Sequence, residues 1–94
     1  MRKIGRVDVN QKEIVLALRR VGCSVLILSN VGGGCPDICV GYKGINYLFE
    51  IKDGTKTPSQ RKLTPDEKKF FDTWEGHCNI VGSVKDCMDI LQEK

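Results

Sequence analysis

The chain has 94 residues and a formal net charge of +3 at pH 7. This length suits one domain with a small core, and so mild a charge does not by itself identify a nucleic-acid-binding protein. The cysteines are odd in number, five, and include no CxxC pair, which argues against a disulfide framework and against a zinc knuckle. We expect a cytoplasmic protein, because there is no secretory leader and no apolar run of membrane-spanning length.

The first predicted element is an amphipathic helix that ends near Val21. Asp8 or Asn10 can cap its N-terminus, and Gly22 is a typical helix stop. Glu13 has no basic residue three or four positions away, which is weak evidence for a role other than surface charge. Apolar residues at helical spacing are predicted to face a core. They are Ile14, Ala17, Leu18 and Val21.

A continuous apolar run follows, from Cys23 to Leu28, and it predicts a strand covered on both faces of a sheet. Residues 29–34 then interrupt regular structure with three successive glycines. Two interpretations of these glycines stay open: they allow a phosphate backbone to approach closely, or they form a flexible turn. The Lys and the Ser or Thr of a nucleotide-binding P-loop are missing.

The central stretch is predicted to be a β-hairpin. An apolar run follows Asp37, Lys43-Gly44 supplies a two-residue turn, and a second apolar run leads into Glu50. In that register Asp37 stands opposite Glu50 on the same side of the sheet, with the Cβ atoms about 5 Å apart. Like charges so placed are destabilising unless a cation lies between them, so we expect a divalent metal. Because side chains alternate between the two faces of a strand, Lys52 is predicted to lie on the same face as Glu50.

The segment after the hairpin concentrates positive charge. Residues 52–62 contain Lys52, Lys56, Arg61 and Lys62 against Asp53 alone, a local excess equal to the net charge of the whole chain. The segment is polar and contains a proline, which predicts a basic loop.

Two helices and a strand complete the predicted order. Thr64, Pro65 and Glu67 form a strong helix start, in which Glu67 completes a capping box. A strand from Cys78 to Val81 and a helix capped by Ser83 follow. The aromatic residues of the earlier helix are predicted to form its buried side. They are Phe70, Phe71 and Trp74.

Pro36-Asp37 followed by Glu50-Ile51-Lys52 resembles the signature of the PD-(D/E)XK nuclease superfamily. The wider sequence is similar to the VRR-NUC branch, in the small stand-alone form of phages and bacteria. The matching flanks are Asp8, Asn10-Gln11, Glu13, Gly32 to Cys35, Asp53-Gly54, Leu63 to Pro65 and Trp74. The resemblance covers nearly the whole chain and implies one α/β domain, residues 1–94, with a restriction-endonuclease-like αβββαβ core and a mixed sheet flanked by helices. At Glu67 the chain departs from relatives that often have Gln.

The resemblance implies a magnesium-dependent endonuclease for branched DNA, with Mn²⁺ as a substitute ion and no membrane or small-molecule cofactor. Small stand-alone members resemble homodimeric Holliday-junction resolvases, enzymes of DNA recombination and repair. Asp37, Glu50 and the Ile51 carbonyl are the expected metal ligands, completed by Glu13, and oxygen ligands suit magnesium. Lys52 is expected to hold the attacking water and to contact the scissile phosphate. The expected DNA contacts are Asn10, Gly33, Gly34, Lys56, Gln60, Arg61 and Lys62.

Two other functions are consistent with the same residues. A nuclease-like fold could bind branched DNA without cutting it, and a lack of magnesium binding would favour that function. A monomeric flap or replication-fork endonuclease would need no partner subunit. Because paired cuts in a two-fold junction require two sites, molecular mass in solution separates this enzyme from a dimeric resolvase.

Overall fold

The computed structural model describes residues 9–54 and 62–93. Its elements are α1 (Val9–Arg20), β1 (Ser24–Ile27), β2 (Ile38–Tyr42), β3 (Ile45–Ile51), α2 (Pro65–Thr73), β4 (His77–Val81) and α3 (Val84–Leu91). The strands form one sheet in the order β1-β2-β3-β4, antiparallel from β1 to β3 and parallel between β3 and β4. This arrangement confirms the predicted α/β fold with its αβββαβ order and mixed sheet.

The first helix ends at the predicted glycine. Gly22 has a φ of 97°, a left-handed conformation that glycine adopts without a Cβ clash. Its N–H donates to the Arg19 carbonyl at 3.1 Å, and the N–H of Cys23 donates to the Leu18 carbonyl at 3.0 Å. These two bonds form a Schellman motif, which turns the chain directly from α1 into β1. The predicted cap Asp8 lies outside the described residues.

The β2–β3 hairpin has the predicted register. Lys43 and Gly44 have φ values of 50° and 83°, and two positive values are what a type I′ turn requires. Continued by one position, the register sets Asp37 opposite Glu50. The observed pairs include Tyr42 with Ile45, Gly41 with Asn46 and Ile38 with Phe49.

The core lies between one face of the sheet and the helices α1 and α3. Apolar residues at alternate positions of the strands pack against one side of each of these helices. The buried cluster consists of Ile14, Val15, Leu18, Cys23, Ile38, Val40, Tyr47, Phe49, Ile51, Val81, Cys87 and Leu91. All five cysteines are free thiols. None of the helices in residues 9–54 and 62–93 has the length and apolar character needed to cross a bilayer.

The prediction that the run from Cys23 to Leu28 is covered on both faces is wrong. β1 is an edge strand, and Leu26 and Ile27 are 61% and 51% exposed. Alternate residues of an edge strand turn their N–H and C=O groups outward, and Arg19 covers one of them by donating from Nη2 to the Val25 carbonyl at 3.0 Å. An apolar run predicts a strand, but its place in the sheet depends on which strands pair with it.

The prediction that the aromatic residues of α2 are buried is also wrong. No residue of α2 is buried. Phe70 and Phe71 are half-buried, and the Trp74 ring stacks on Phe70 with 5.1 Å between centroids while 48% exposed. The capping box at Thr64 and Pro65 forms as predicted. The start of this helix is therefore predictable from the local sequence, whereas the burial of its side chains depends on the rest of the fold.

Candidate active site

Asp37 and Glu50 lie at the end of the hairpin remote from its turn. Because Phe49 and Ile51 point into the core, alternation turns Glu50 to the other face of the sheet. The Asp37 carboxylate accepts a hydrogen bond from the Ile51 N–H at 2.8 Å through Oδ2, and its own N–H donates to the Phe49 carbonyl at 3.1 Å. Backbone groups on β3 therefore fix the orientation of Asp37 beside Glu50.

Glu50 is a buried acid, with 4% of the residue exposed. Its Oε1 is buried and has no hydrogen-bond partner among the described residues. Burial, followed by the negative charges of Asp37 and Glu67, raises the pKa of Glu50 to about 9. Burial also raises the pKa of Asp37, although the Ile51 N–H opposes that effect. The acid pair therefore favours added positive charge, either a proton or a cation.

Lys52 joins the acid pair from the next position on the same face. Its Nζ lies 2.8 Å from Glu67 Oε1 and 3.5 Å from Glu50 Oε2. Burial opposes the charged form of Lys52, but the hydrogen bond to Glu67 and the charges of Glu50 and Glu67 raise its pKa above the ordinary value. Lys52 is consequently a fixed cation at neutral pH, and the prediction that it shares a face with Glu50 is confirmed.

Glu67, which the sequence analysis assigned only to a capping box, also lies at the candidate site. Its Oε1 accepts the Thr64 N–H at 2.9 Å, and its own N–H donates to Thr64 Oγ1 at 3.2 Å, which closes the predicted capping box. The same Oε1 accepts the hydrogen bond from Lys52. Burial opposes ionisation, but the hydrogen bonds from Lys52 and Thr64 lower the pKa of Glu67. In the sequence, only the presence of Glu where relatives often have Gln indicated that position 67 could matter beyond the helix cap.

One comparison with known proteins supports the fold described above. No protein-family model and no curated protein matches the sequence. A solved structure described as "VRR_NUC domain" is similar to the chain with a TM-score of 0.57 and 26% sequence identity, covering 89% of this chain and 92% of that chain. The chain has the VRR-NUC fold. The resemblance drawn from the sequence is thereby confirmed over nearly the whole length of both chains.

The glycine run of this VRR-NUC fold packs against α2. Gly34 has a φ of 82°, and a Cβ on it would collide with the Asp66 carbonyl and crowd the Glu67 N–H. Gly33 has a φ of 65°, but a Cβ there would meet nothing within 4 Å. At Gly34 the structure therefore supplies a packing reason for glycine. DNA contact by either glycine stays a prediction.

The helix α1 contacts the backbone at Lys52, directly after β3. Asn10 Nδ2 donates to the Lys52 carbonyl at 3.1 Å, which ties the helix to the backbone of the candidate active site. Glu13 is exposed and lines a cleft next to Asn10. Other residues of that cleft are Asp53, Gly54, Gly82, Ser83 and Asp86. The assignment of Glu13 to the metal stays a prediction, as does a DNA contact by Asn10.

The predicted basic loop falls largely outside the described residues. Lys56, Gln60 and Arg61 lie there, so their proposed DNA contacts stay predictions. Lys62 lies within the described part of the chain and is exposed.

The acid pair of the VRR-NUC fold suits a magnesium ion. Within residues 9–54 and 62–93, no group of three or more His, Cys, Asp or Glu side chains is placed to hold a metal. Magnesium commonly uses one or two carboxylates and completes its shell with water and substrate phosphates. The buried, unpartnered Oε1 of Glu50 beside Asp37 fits that requirement.

Proposed function

We propose that this VRR-NUC domain is a metal-dependent endonuclease that hydrolyses phosphodiester bonds in branched DNA. The similarity to a solved VRR_NUC domain supports a nuclease. The observation that carries the proposal is the buried Oε1 of Glu50, which has no hydrogen-bond partner among the described residues. The other oxygen of the same carboxylate, Oε2, lies 3.5 Å from Lys52 Nζ. Two acids and one lysine at this spacing suit phosphodiester hydrolysis better than a structural role.

The proposed mechanism assigns a task to each residue of the site. Asp37, Glu50 and the Ile51 carbonyl would hold magnesium, which when bound neutralises phosphate charge and acidifies water. Asp37 is oriented in advance by the Ile51 N–H, so little reorganisation is needed when substrate arrives. Lys52 keeps its proton, so it contacts a phosphate oxygen and offsets the negative charge that develops during attack.

The proposed substrate is a Holliday junction, cut by a homodimer. A four-way junction is approximately two-fold symmetric and needs two cuts, whereas one domain carries one such site, so a symmetric dimer suits the task. Exposed apolar residues along the free edge of the sheet supply surface suited to subunit contact. They are Leu16 on α1 and Leu26 and Ile27 on β1.

The test is cleavage of a labelled four-way junction beside a linear duplex of the same sequence, in magnesium, in calcium and in EDTA. We expect paired, magnesium-dependent cuts near the junction centre, and loss of cutting in Glu50→Gln. Glu93→Gln, an exposed change in the C-terminal residues, is the matched control. Junction binding in calcium without product in magnesium or manganese would contradict the nuclease and favour a DNA-binding module. A monomeric mass at working concentration would contradict the dimer.

A further inference from the structure

We propose that Glu67 is a positioning residue, which holds Lys52 beside the acid pair and prevents it from filling that pair. The inference rests on the proposed function and deepens it, because it adds α2 to the candidate active site. Glu67 itself need not touch substrate or metal. Its effect passes through the lysine that it binds.

The ion pair between Lys52 and Glu67 differs from the exposed ion pairs of the helices. Lys52 and Glu67 side chains are 19% and 17% exposed, and Nζ lies 2.8 Å from Oε1. In the pair Lys68–Asp72 the side chains are 68% and 61% exposed. An exposed pair of that kind contributes little to stability because water screens it, whereas a partly buried and hydrogen-bonded contact fixes the position of both groups.

Lys52 has two acidic neighbours that compete for its ammonium group. Glu67 Oε1 lies at 2.8 Å and Glu50 Oε2 at 3.5 Å. Glu50 also has a buried oxygen without a partner, so it would attract the lysine if Glu67 were absent. An ammonium group moved onto Glu50 would occupy the place that the proposed magnesium ion needs. Glu67 thus keeps the cationic side chain near the acids but leaves Glu50 Oε1 available.

The position of Glu67 is itself fixed from two directions. Its Oε1 is bound to the Thr64 N–H within the capping box, so the side chain is held back over the start of α2. The backbone beside it, at Asp66, packs against Gly34 so closely that no Cβ fits between them. Lys52 is therefore held by a carboxylate whose own freedom is small, which is what precise positioning requires.

Three variants separate positioning from helix capping. Glu67→Gln keeps an oxygen acceptor for both Lys52 and the Thr64 N–H. Glu67→Ala removes both bonds. Thr64→Ala removes only the hydroxyl that accepts the Glu67 N–H, so it weakens the cap and leaves the contact with Lys52 in place.

The first measurement is the position of Lys52 Nζ in crystal structures of the metal-free proteins. We expect Nζ to stay on residue 67 in the wild-type protein, in Glu67→Gln and in Thr64→Ala, and to move onto Glu50 in Glu67→Ala. An unmoved Nζ in Glu67→Ala would overturn the proposal. This result does not depend on nuclease activity, so it still tests the inference if the wild-type protein fails to cut DNA.

The second measurement is the kinetics of junction cleavage. We expect Glu67→Ala to lower kcat by about 10- to 100-fold, the scale of a catalytic group displaced by about 1 Å, with a smaller change in KM. Glu67→Gln should retain most of kcat, and Thr64→Ala should match the wild-type protein once melting temperatures show that both are folded. Equal losses of kcat in Thr64→Ala and Glu67→Ala would show that Glu67 acts only through the helix cap, which would overturn the proposal. A loss in Glu67→Gln as large as in Glu67→Ala would also overturn positioning by the hydrogen bond.

Discussion

The Asp37 carboxylate accepts the Ile51 N–H at 2.8 Å, where the strands of the hairpin end. A side chain therefore takes the role that a backbone carbonyl has along the rest of the ladder. The backbone N–H directly before Lys52 therefore orients one acid of the candidate site. This contact also means that Asp37 combines a structural contact with a negative charge, and substitutions can separate these two properties.

Asp37→Asn should abolish cleavage without unfolding the chain, because the amide oxygen still accepts the Ile51 N–H. Asp37→Ala should also abolish cleavage, and it should lower the free energy of unfolding by about 1–3 kcal/mol, the usual effect of leaving a buried donor without its partner. Denaturant unfolding in EDTA measures the difference. Equal stability of the two variants would show that the hydrogen bond does not stabilise the hairpin.

Glu50→Gln should stabilise the metal-free protein at alkaline pH. The pKa of Glu50 is about 9 in the folded chain against an ordinary value of 4.5, so between these values the unfolded chain binds fewer protons. Stability contributed by the protonated acid is therefore complete below about pH 4.5 and is lost as pH rises towards 9. Because Gln carries no ionisable proton, the variant should be more stable than the wild-type protein at pH 8.

Melting temperatures between pH 5 and pH 9 in EDTA provide the measurement for Glu50. The wild-type protein should lose stability across this range, and Glu50→Gln should have a flatter profile. Glu93→Gln, an exposed substitution of the same kind, controls for the change in net charge. A Glu50→Gln profile parallel to that of the wild-type protein would contradict a raised pKa at Glu50.

The turn explains why the acid pair could be predicted from the sequence. Lys43 and Gly44 favour a two-residue hairpin loop, and that loop fixes the register of every pair outward to Asp37 and Glu50. The rule is local, so no knowledge of the rest of the fold was needed. The same holds for the helix start at Thr64, because a capping box is contained in four consecutive residues.

The contacts of α2 could not be predicted in the same way. Lys52 and Glu67 are fifteen positions apart, and their contact depends on the path of the intervening chain. The exposure of Trp74 and of Leu26 has the same origin. Apolar character predicts a tendency towards burial, but the partner that would cover each side chain is set by the tertiary arrangement.

Magnesium should raise the melting temperature of the wild-type protein but not that of Glu50→Gln. A ligand that binds only the folded chain stabilises it by about 2.7 kcal/mol at one hundred times its dissociation constant. Because the raised pKa of Glu50 means that a proton competes for the same carboxylate, the effect of magnesium should grow as pH rises from 6 to 9. Calorimetric titration with magnesium in the absence of DNA provides an independent measurement. Equal stabilisation of both proteins by magnesium would show that the ion binds at a site that does not include Glu50.

Gly34→Ala should destabilise the chain more than Gly33→Ala. Both glycines have positive φ, 82° and 65°, so each alanine carries the strain of a left-handed conformation, about 1–2 kcal/mol. A Cβ at Gly34 would in addition collide with the Asp66 carbonyl, whereas one at Gly33 would meet nothing within 4 Å. The difference between the two variants in denaturant unfolding therefore measures the contact between the glycine run and α2. If the two alanines lowered stability equally, that contact would not hold the helix in place, and any loss of cleavage confined to Gly34→Ala would need another cause.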